Sequence, residues 1–424
     1  MKFAKRVLVL GAILSLGAAG ACSSGPGSAG GDGGDGAVTV AATSNEKPAL
    51  DAAVAAYEEA HPDAEIQVTY AALDQYQTTI RTQLSSGTAP DVLFVWPGNG
   101  NPVAMEVAAG AGYLEDLSGR PWAEQISEGI KPVARRDGKT WIAPVGFSGI
   151  GAVYNTTALD AAGLAVPETW TELLDFCAAA KREGKVAFSL GAQTPWVTQL
   201  TSYALTPTLV YGPNPEFAQQ MANGEATFAD SAWQSALNKY VEMQERGCFN
   251  ESPLGTSYES SLTQVAKGDA LGVVQVNSAV PALKEQAGDD VSFDLRPLPA
   301  TDDPAETRMA GAAGSSYGVN AAAEHKDGAL EFVDWLMSAE GMNLYAETNA
   351  ALPSIPNDQF TVDPALTTLQ RYQEEGKTFP YMDQQWPNAR VQQAHFTAVQ
   401  ELLGGRTTPA DALRRMDEAY QQGA

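Results

Sequence analysis

The stretch from Val38 to Tyr70, VTVAATSNEKPALDAAVAAYEEAHPDAEIQVTY, decides how the rest of the chain is read. Val38 to Val40 is a short β-rich run. Asn45 to Pro48 carries helix-start signals, with the proline suited to a first turn. Leu50, Val54 and Tyr57 recur at helical spacing until His61-Pro62 stops the helix, and Ile66, Val68 and Tyr70 then alternate as a strand does. The pattern repeats downstream. Leu73, Tyr76, Ile80 and Leu84 form a second helical stripe ending at Gly87, and DVLFVW, Asp91 to Trp96, is a near-continuous apolar strand of the kind covered on both faces. Strand, helix, strand, helix, strand predicts an α/β fold with a mostly parallel sheet. Ligands of such sheets sit beyond the carboxyl ends of the strands, here Thr43–Lys47, Tyr70–Asp74 and Trp96–Asn101.

The second half continues in the same style. VPETWTELLDFCAAAKREGK opens on Thr169 and Glu172 at capping-box spacing and runs on through Leu173, Leu174 and Cys177 as an amphipathic helix. A strand, VAFSL, follows, and further helices are expected at Trp233–Arg246, Ala329–Met337, Arg390–Leu403 and Pro409–Tyr420. With 424 residues and 44% hydrophobic content, the chain is neither disordered nor small enough for one core, so two lobes are expected. Its 26 basic residues against 51 acidic ones give a net charge of −25. A polyanion of this kind is a poor nucleic-acid binder, because cations on phosphates supply most of that affinity.

Before the folded part lie Lys2, Lys5 and Arg6, an apolar run from Val7 to Gly20, and small residues directly before Cys22. That layout reads as a signal peptide over residues 1–21. The run is shorter than the roughly 20 apolar residues of a bilayer-spanning helix. Cys22 sits at the cleavage point and resembles the lipobox of bacterial lipoproteins, which implies acylation of its thiol; Ala19 stands where that pattern usually has leucine. Ser23 to Gly36 is half glycine, with no aromatic and no β-branched residue, so residues 22–36 are read as a flexible tether. The localisation that follows is the outer face of the cell membrane. The remaining cysteines, Cys177 and Cys248, are an oxidised pair or two buried thiols; in an exported chain the expectation is a disulfide.

Several blocks in order, GTAPDVLFVWPG, GKTWIAPVGFSGIGAVYNTTALDAAGLAVPETWTELLDFCAAAK, VAKGDALGVVQ, GALEFVDWLMSAEGMNLYAETNAALPS and LLGGRTTPADAL, together resemble the extracellular solute-binding proteins of ABC importers, in the sugar-binding group that includes maltose-binding protein. The resemblance implies a type II fold of two α/β lobes with the ligand in the cleft between them. It places chain crossings near Gly146–Ile150, Gly311–Ser316 and Ser354–Val362. The lobes are then 37–147 with about 316–356, and 148–315 with about 357–424. It implies a monomeric, non-enzymatic receptor without cofactor that hands a mono- or oligosaccharide to a permease.

Sugars present apolar C–H faces and a rim of hydroxyls, so aromatic platforms and mixed donor-acceptor side chains are sought at the strand ends. Trp96 ends the third strand. The resemblance implies ligand contacts at Glu46 and Lys47 in SNEK, at Ser148 (often a carboxylate in the family), at Trp196, at Gln275 and Asn277, and at Trp386 in DQQWPN, with Ser315 a further candidate. Two alternatives accompany this reading. A polyamine or other non-sugar solute would be favoured by cleft carboxylates. An extracellular serine hydrolase would use Ser316, since GSSYG at Gly314–Gly318 fits G-x-S-x-G, with His395 downstream, although the flanking sequence lacks the strand-turn-helix context that motif needs. His61, His325 and His395 are scattered, without metal-ligand spacing.

Overall fold

The computed structural model describes residues 36–127 and 129–422; the signal-peptide, Cys22 and tether expectations lie outside them. Gly36–Ala424 is one compact unit carrying two large sheets and a two-stranded one. The strands are β1 Val38–Thr43, β2 Ile66–Ala71, β3 Val92–Phe94, β4 Arg135–Arg136, β5 Lys139–Thr140, β6 Ala143–Pro144, β7 Gly146–Asn155, β8 Val186–Phe188, β9 Ala270–Val276, β10 Phe293–Arg296, β11 Met309–Ala313, β12 Ser316–Val319, β13 Leu352–Pro353 and β14 Thr378–Phe379. A five-stranded sheet runs β2-β1-β3-β12-β6. A second runs β14-β11-β7-β9-β8, with β10 and β13 also pairing β7, and β4-β5 form a small hairpin.

The opening of the first lobe follows its sequence signals. Helix α1, Lys47–Ala60, has Pro48 in its first turn and buries Leu50, Ala53 and Tyr57. Helix α2, Leu73–Ser86, buries Tyr76, Ile80 and Leu84 and ends where Gly87, at φ +72°, takes the left-handed conformation and donates back to Gln83 and Leu84. Glycine reaches that conformation without steric cost, which is why the helix stops there. Each fully buried leucine or isoleucine on these stripes stabilises the fold by about 1.5–3 kcal/mol. In the second lobe, helix Trp170–Arg182 begins with the expected capping box of Thr169 and Glu172, and a disulfide joins its Cys177 to Cys248, just beyond helix Trp233–Glu245.

The sheets are mixed where a mostly parallel order was expected. β1, β2 and β3 are parallel, but β12 runs antiparallel to both β3 and β6, and β7 is antiparallel to β9, β10, β11 and β13. The chain leaves the five-stranded sheet after β6, enters the other as β7, and returns through β11 to β12. Outgoing and returning segments lie side by side, Ser148 opposite Ala312 and Gly149 opposite Gly311. Strands paired across two opposite crossings must be antiparallel, whatever the local strand-helix alternation. β13 already pairs with Gly146 and Phe147, just ahead of the expected third crossing.

Candidate ligand-binding cleft

On the first lobe, the carboxyl ends of β1, β2 and β3 and the residues just after them carry aromatic rings and one buried acid. Trp96 is partly exposed and packs edge-on against Phe94 and Tyr76, with centroids at 4.7 and 5.8 Å. The Tyr76 hydroxyl ties the end of β3 to β1 by donating to Phe94 O at 2.7 Å and to Ala41 O at 3.2 Å. Lys47 pairs with Asp51 at 2.6 Å and stands 4.7 Å from the Tyr70 ring, whose hydroxyl donates to the same Asp51. Burial works against the Asp51 carboxylate, but the hydrogen bonds from Lys47 and Tyr70 hold it below its usual range.

Glu46 turns inward. Its Oε2 accepts from Ser315 Oγ at 2.7 Å, from the Tyr345 hydroxyl, and from Asn349 Nδ2 at 3.5 Å. Burial raises its pKa, and the Tyr345 and Ser315 hydrogen bonds oppose that rise. The structure thus brings two expected site residues, Glu46 and Ser315, into direct contact, with each other as partner. Asn277 is likewise occupied: Oδ1 accepts from Gly149 N and Nδ2 donates to Ala350 O, both at 2.6 Å. Ser148 lies on β7 against Gly314, where an added Cβ would come within 2.2 Å of its Oγ.

The segment after β14 contributes groups that the sequence reading did not single out. Asp383 Oδ2 accepts from Gln392 Nε2 at 2.8 Å, while its Oδ1 is shut from solvent and has no partner. Burial pushes this carboxyl up to about 6, against the neighbouring Tyr203 hydroxyl and backbone N–H groups, which favour the charged form. The Tyr381 hydroxyl, near Ser148, and Gln384 Oε1 are also buried and unpartnered, as is Nε2 of Gln275, a residue 1% exposed on β9. In DQQWPN, Asp383 and Gln384 hold the unpartnered oxygens, and the tryptophan is buried. Trp386 is 3% exposed, its ring among Tyr203, Phe228, Trp233 and His395. Trp196 is partly buried, 5.0 Å from the Tyr258 ring.

The geometry removes the basis of the hydrolase alternative. Ser316 is fully buried at the start of β12, its hydroxyl 3.5 Å from Gly314 O. His395 is equally buried, with Nε2 3.1 Å from Ser202 Oγ and a ring stacked on Tyr203. Burial lowers its pKa to about 3. A strand residue inside a sheet makes no nucleophile elbow, and this imidazole serves a different serine. Among the described residues there is also no group of three His, Cys, Asp or Glu side chains that could hold a metal ion, and no helix long and apolar enough to cross a membrane.

Comparison with known proteins agrees with the two-lobe geometry. The chain is 22% identical over 351 residues to the multiple sugar-binding protein of Streptococcus mutans, covering 81% of each chain. It is 22% identical over 393 residues to the melibiose/raffinose/stachyose-binding protein MelE of Bacillus subtilis, covering 90% of this chain and 87% of that one. Among solved structures, a chitin oligosaccharide binding protein superposes with a TM-score of 0.77 at 20% identity, over 91% of this chain and 98% of that one. The solute-binding protein RafE in complex with raffinose gives 0.77 at 17% identity, over 91% and 99%. The family model described as bacterial extracellular solute-binding protein matches residues 41–343, from β1 through the return crossing into the helices that follow, and the chain belongs to that family.

Proposed function

We propose that this protein is a carbohydrate receptor that closes its two lobes on a sugar and presents it to an ABC permease, held to the membrane through Cys22. The observation that carries the sugar reading is the set of buried polar atoms without partners at Gln275, Tyr381, Asp383 and Gln384. A buried donor or acceptor left unsatisfied costs about 1–3 kcal/mol. Sugar hydroxyls both donate and accept, so they suit a carboxylate, an amide and a phenol alike. Trp96 and Tyr70 offer aromatic faces for the C–H side of a ring, with Lys47 over the Tyr70 ring; Trp196 is a further stacking candidate. The sugar names of the relatives support the same reading. A polyamine is less suited, because Glu46 is taken up internally and Asp383 is then the one acid in this set.

No covalent chemistry is assigned, and the protein acts as a monomer. The lobes are placed at 37–147 with about 316–356, and 148–315 with about 357–424. The β6-to-β7 and β11-to-β12 passages support the first two boundaries, whereas β13 at Leu352–Pro353 already pairs with β7 ahead of the third. A thermal-shift and calorimetric screen tests the function: melibiose, raffinose, stachyose and chitin oligosaccharides against spermidine and putrescine. A ligand that binds only the folded state raises the melting temperature. Stabilisation by a saccharide alone is the expected result, and stabilisation by a polyamine alone would reverse the assignment.

A further inference from the structure

We infer that the Gly98-Asn99-Gly100 loop is a latch that holds the lobes together through protein contacts alone, with Asn99 as its positioning residue. The loop follows β3 and is fixed from behind on the first lobe: Gly98 N donates to Val133 O at 2.7 Å, and Glu106 N donates to Gly98 O at 3.0 Å. Its other side meets the segment after β14 on the second lobe. Asn99 N donates to Gln384 O at 3.1 Å, and Asn99 Nδ2 donates to Pro387 O at 3.0 Å. No side chain separates the two backbones. A Cβ on Gly98 would lie 1.9 Å from Gln384 O, and one on Gly100 would lie 1.9 Å from Asp383 O.

The residues gripped by the latch are those whose side chains hold unpartnered oxygens. Gln384 gives its main-chain carbonyl to Asn99 N and the Asp383 carbonyl lies against Gly100, while Asp383 Oδ1 and Gln384 Oε1 remain unsatisfied. Gln384 Nε2 donates to Ala313 O, the last residue of the return crossing strand β11. The segment is therefore fastened to the hinge on one side and to the latch on the other. Closure and the aim of Asp383 are set by one contact. A latch of this kind acts on the closed population and not on the ligand, so it scales the affinity of every ligand by the same factor. Removing one net hydrogen bond of ordinary strength changes such an equilibrium roughly 2- to 10-fold.

The affinity consequence rests on the sugar-receptor reading, but the contact can be tested without ligand. Gly100 does not have a positive φ, and the three atoms nearest its added Cβ all belong to Asp383, so Gly100→Ala penalises only the docked state. Small-angle scattering and hydrogen exchange at the Asn99 amide, both on ligand-free protein, should show Gly100→Ala with a larger radius and a less protected amide than wild type, at a nearly unchanged melting temperature. Asn99→Ala should shift in the same direction by less. Calorimetry with raffinose and stachyose should then show both affinities falling by a common factor. Variants that scatter and exchange like wild type would overturn the latch, as would a loss confined to one sugar. If neither sugar binds even wild type, the sugar reading fails while scattering and exchange still decide the latch.

Discussion

Ser315 donates its hydroxyl to Glu46 Oε2 at 2.7 Å, tying the loop after β1 to the segment that returns from the second lobe. The same carboxylate oxygen receives Tyr345, whose hydroxyl is 2.8 Å from that of Tyr317. Glu46→Ala leaves these buried groups without their acceptor and should destabilise the fold by about 1–3 kcal/mol, measured by urea unfolding. An unchanged midpoint would show that Glu46 is not the internal fastener described above.

Asp383 gives a pH dependence with a definite sign. Its carboxyl is pushed up to about 6 from an ordinary value near 3.8, so the folded state holds the proton more tightly than the unfolded one. The stability it contributes is complete below about 3.8 and is lost as pH rises through about 6. Asp383→Asn should flatten the fall in unfolding free energy across that window, on the order of 2–3 kcal/mol at most. Equal slopes for wild type and variant in urea titrations from pH 4 to 7 would refute the shift.

The two tryptophans should separate cleanly. Trp386 is enclosed by four aromatic neighbours, so Trp386→Ala should cost about 3–5 kcal/mol of stability. Trp196→Ala should weaken sugar binding by about 1–3 kcal/mol while the protein melts nearly as before. If the Trp196 variant binds normally and melts many degrees lower, that ring belongs to the core.

Cys177 and Cys248 close a loop with a sequence separation of 71. Reduction should lower stability by about 2–5 kcal/mol, read as a shift of the denaturation midpoint in dithiothreitol. Alkylation of the unfolded, non-reduced protein should find neither of these two thiols free.

Cys22→Ser should leave the precursor unprocessed or release the protein to the medium, because no thiol remains to carry an acyl chain. A processed variant that still sediments with membranes would rule out the anchor.

Several features were fixed locally and could be read from the residues alone. The α1 and α2 stripes, the stop at Gly87 and the Thr169 capping box depend on neighbours within one or two helical turns, so their residue types are sufficient. The order of the quoted blocks was likewise enough to indicate a two-lobe receptor. Sheet direction was not local: β7 and β11 are antiparallel because the chain crosses between lobes and comes back, which no window around either strand contains. The use of each polar side chain was decided later still. Glu46 is a natural ligand contact in SNEK until Tyr345, 299 positions away, supplies a hydroxyl to its carboxylate. Asn277 is spent on Gly149 and Ala350, and Trp386 is enclosed by rings from distant helices, whereas Asp383 keeps an oxygen without a hydrogen-bond partner among the described residues. Residue type determined what each group could bind, but only the packed structure determined which groups were already bound, because partners so far apart in sequence meet only when the lobes have formed.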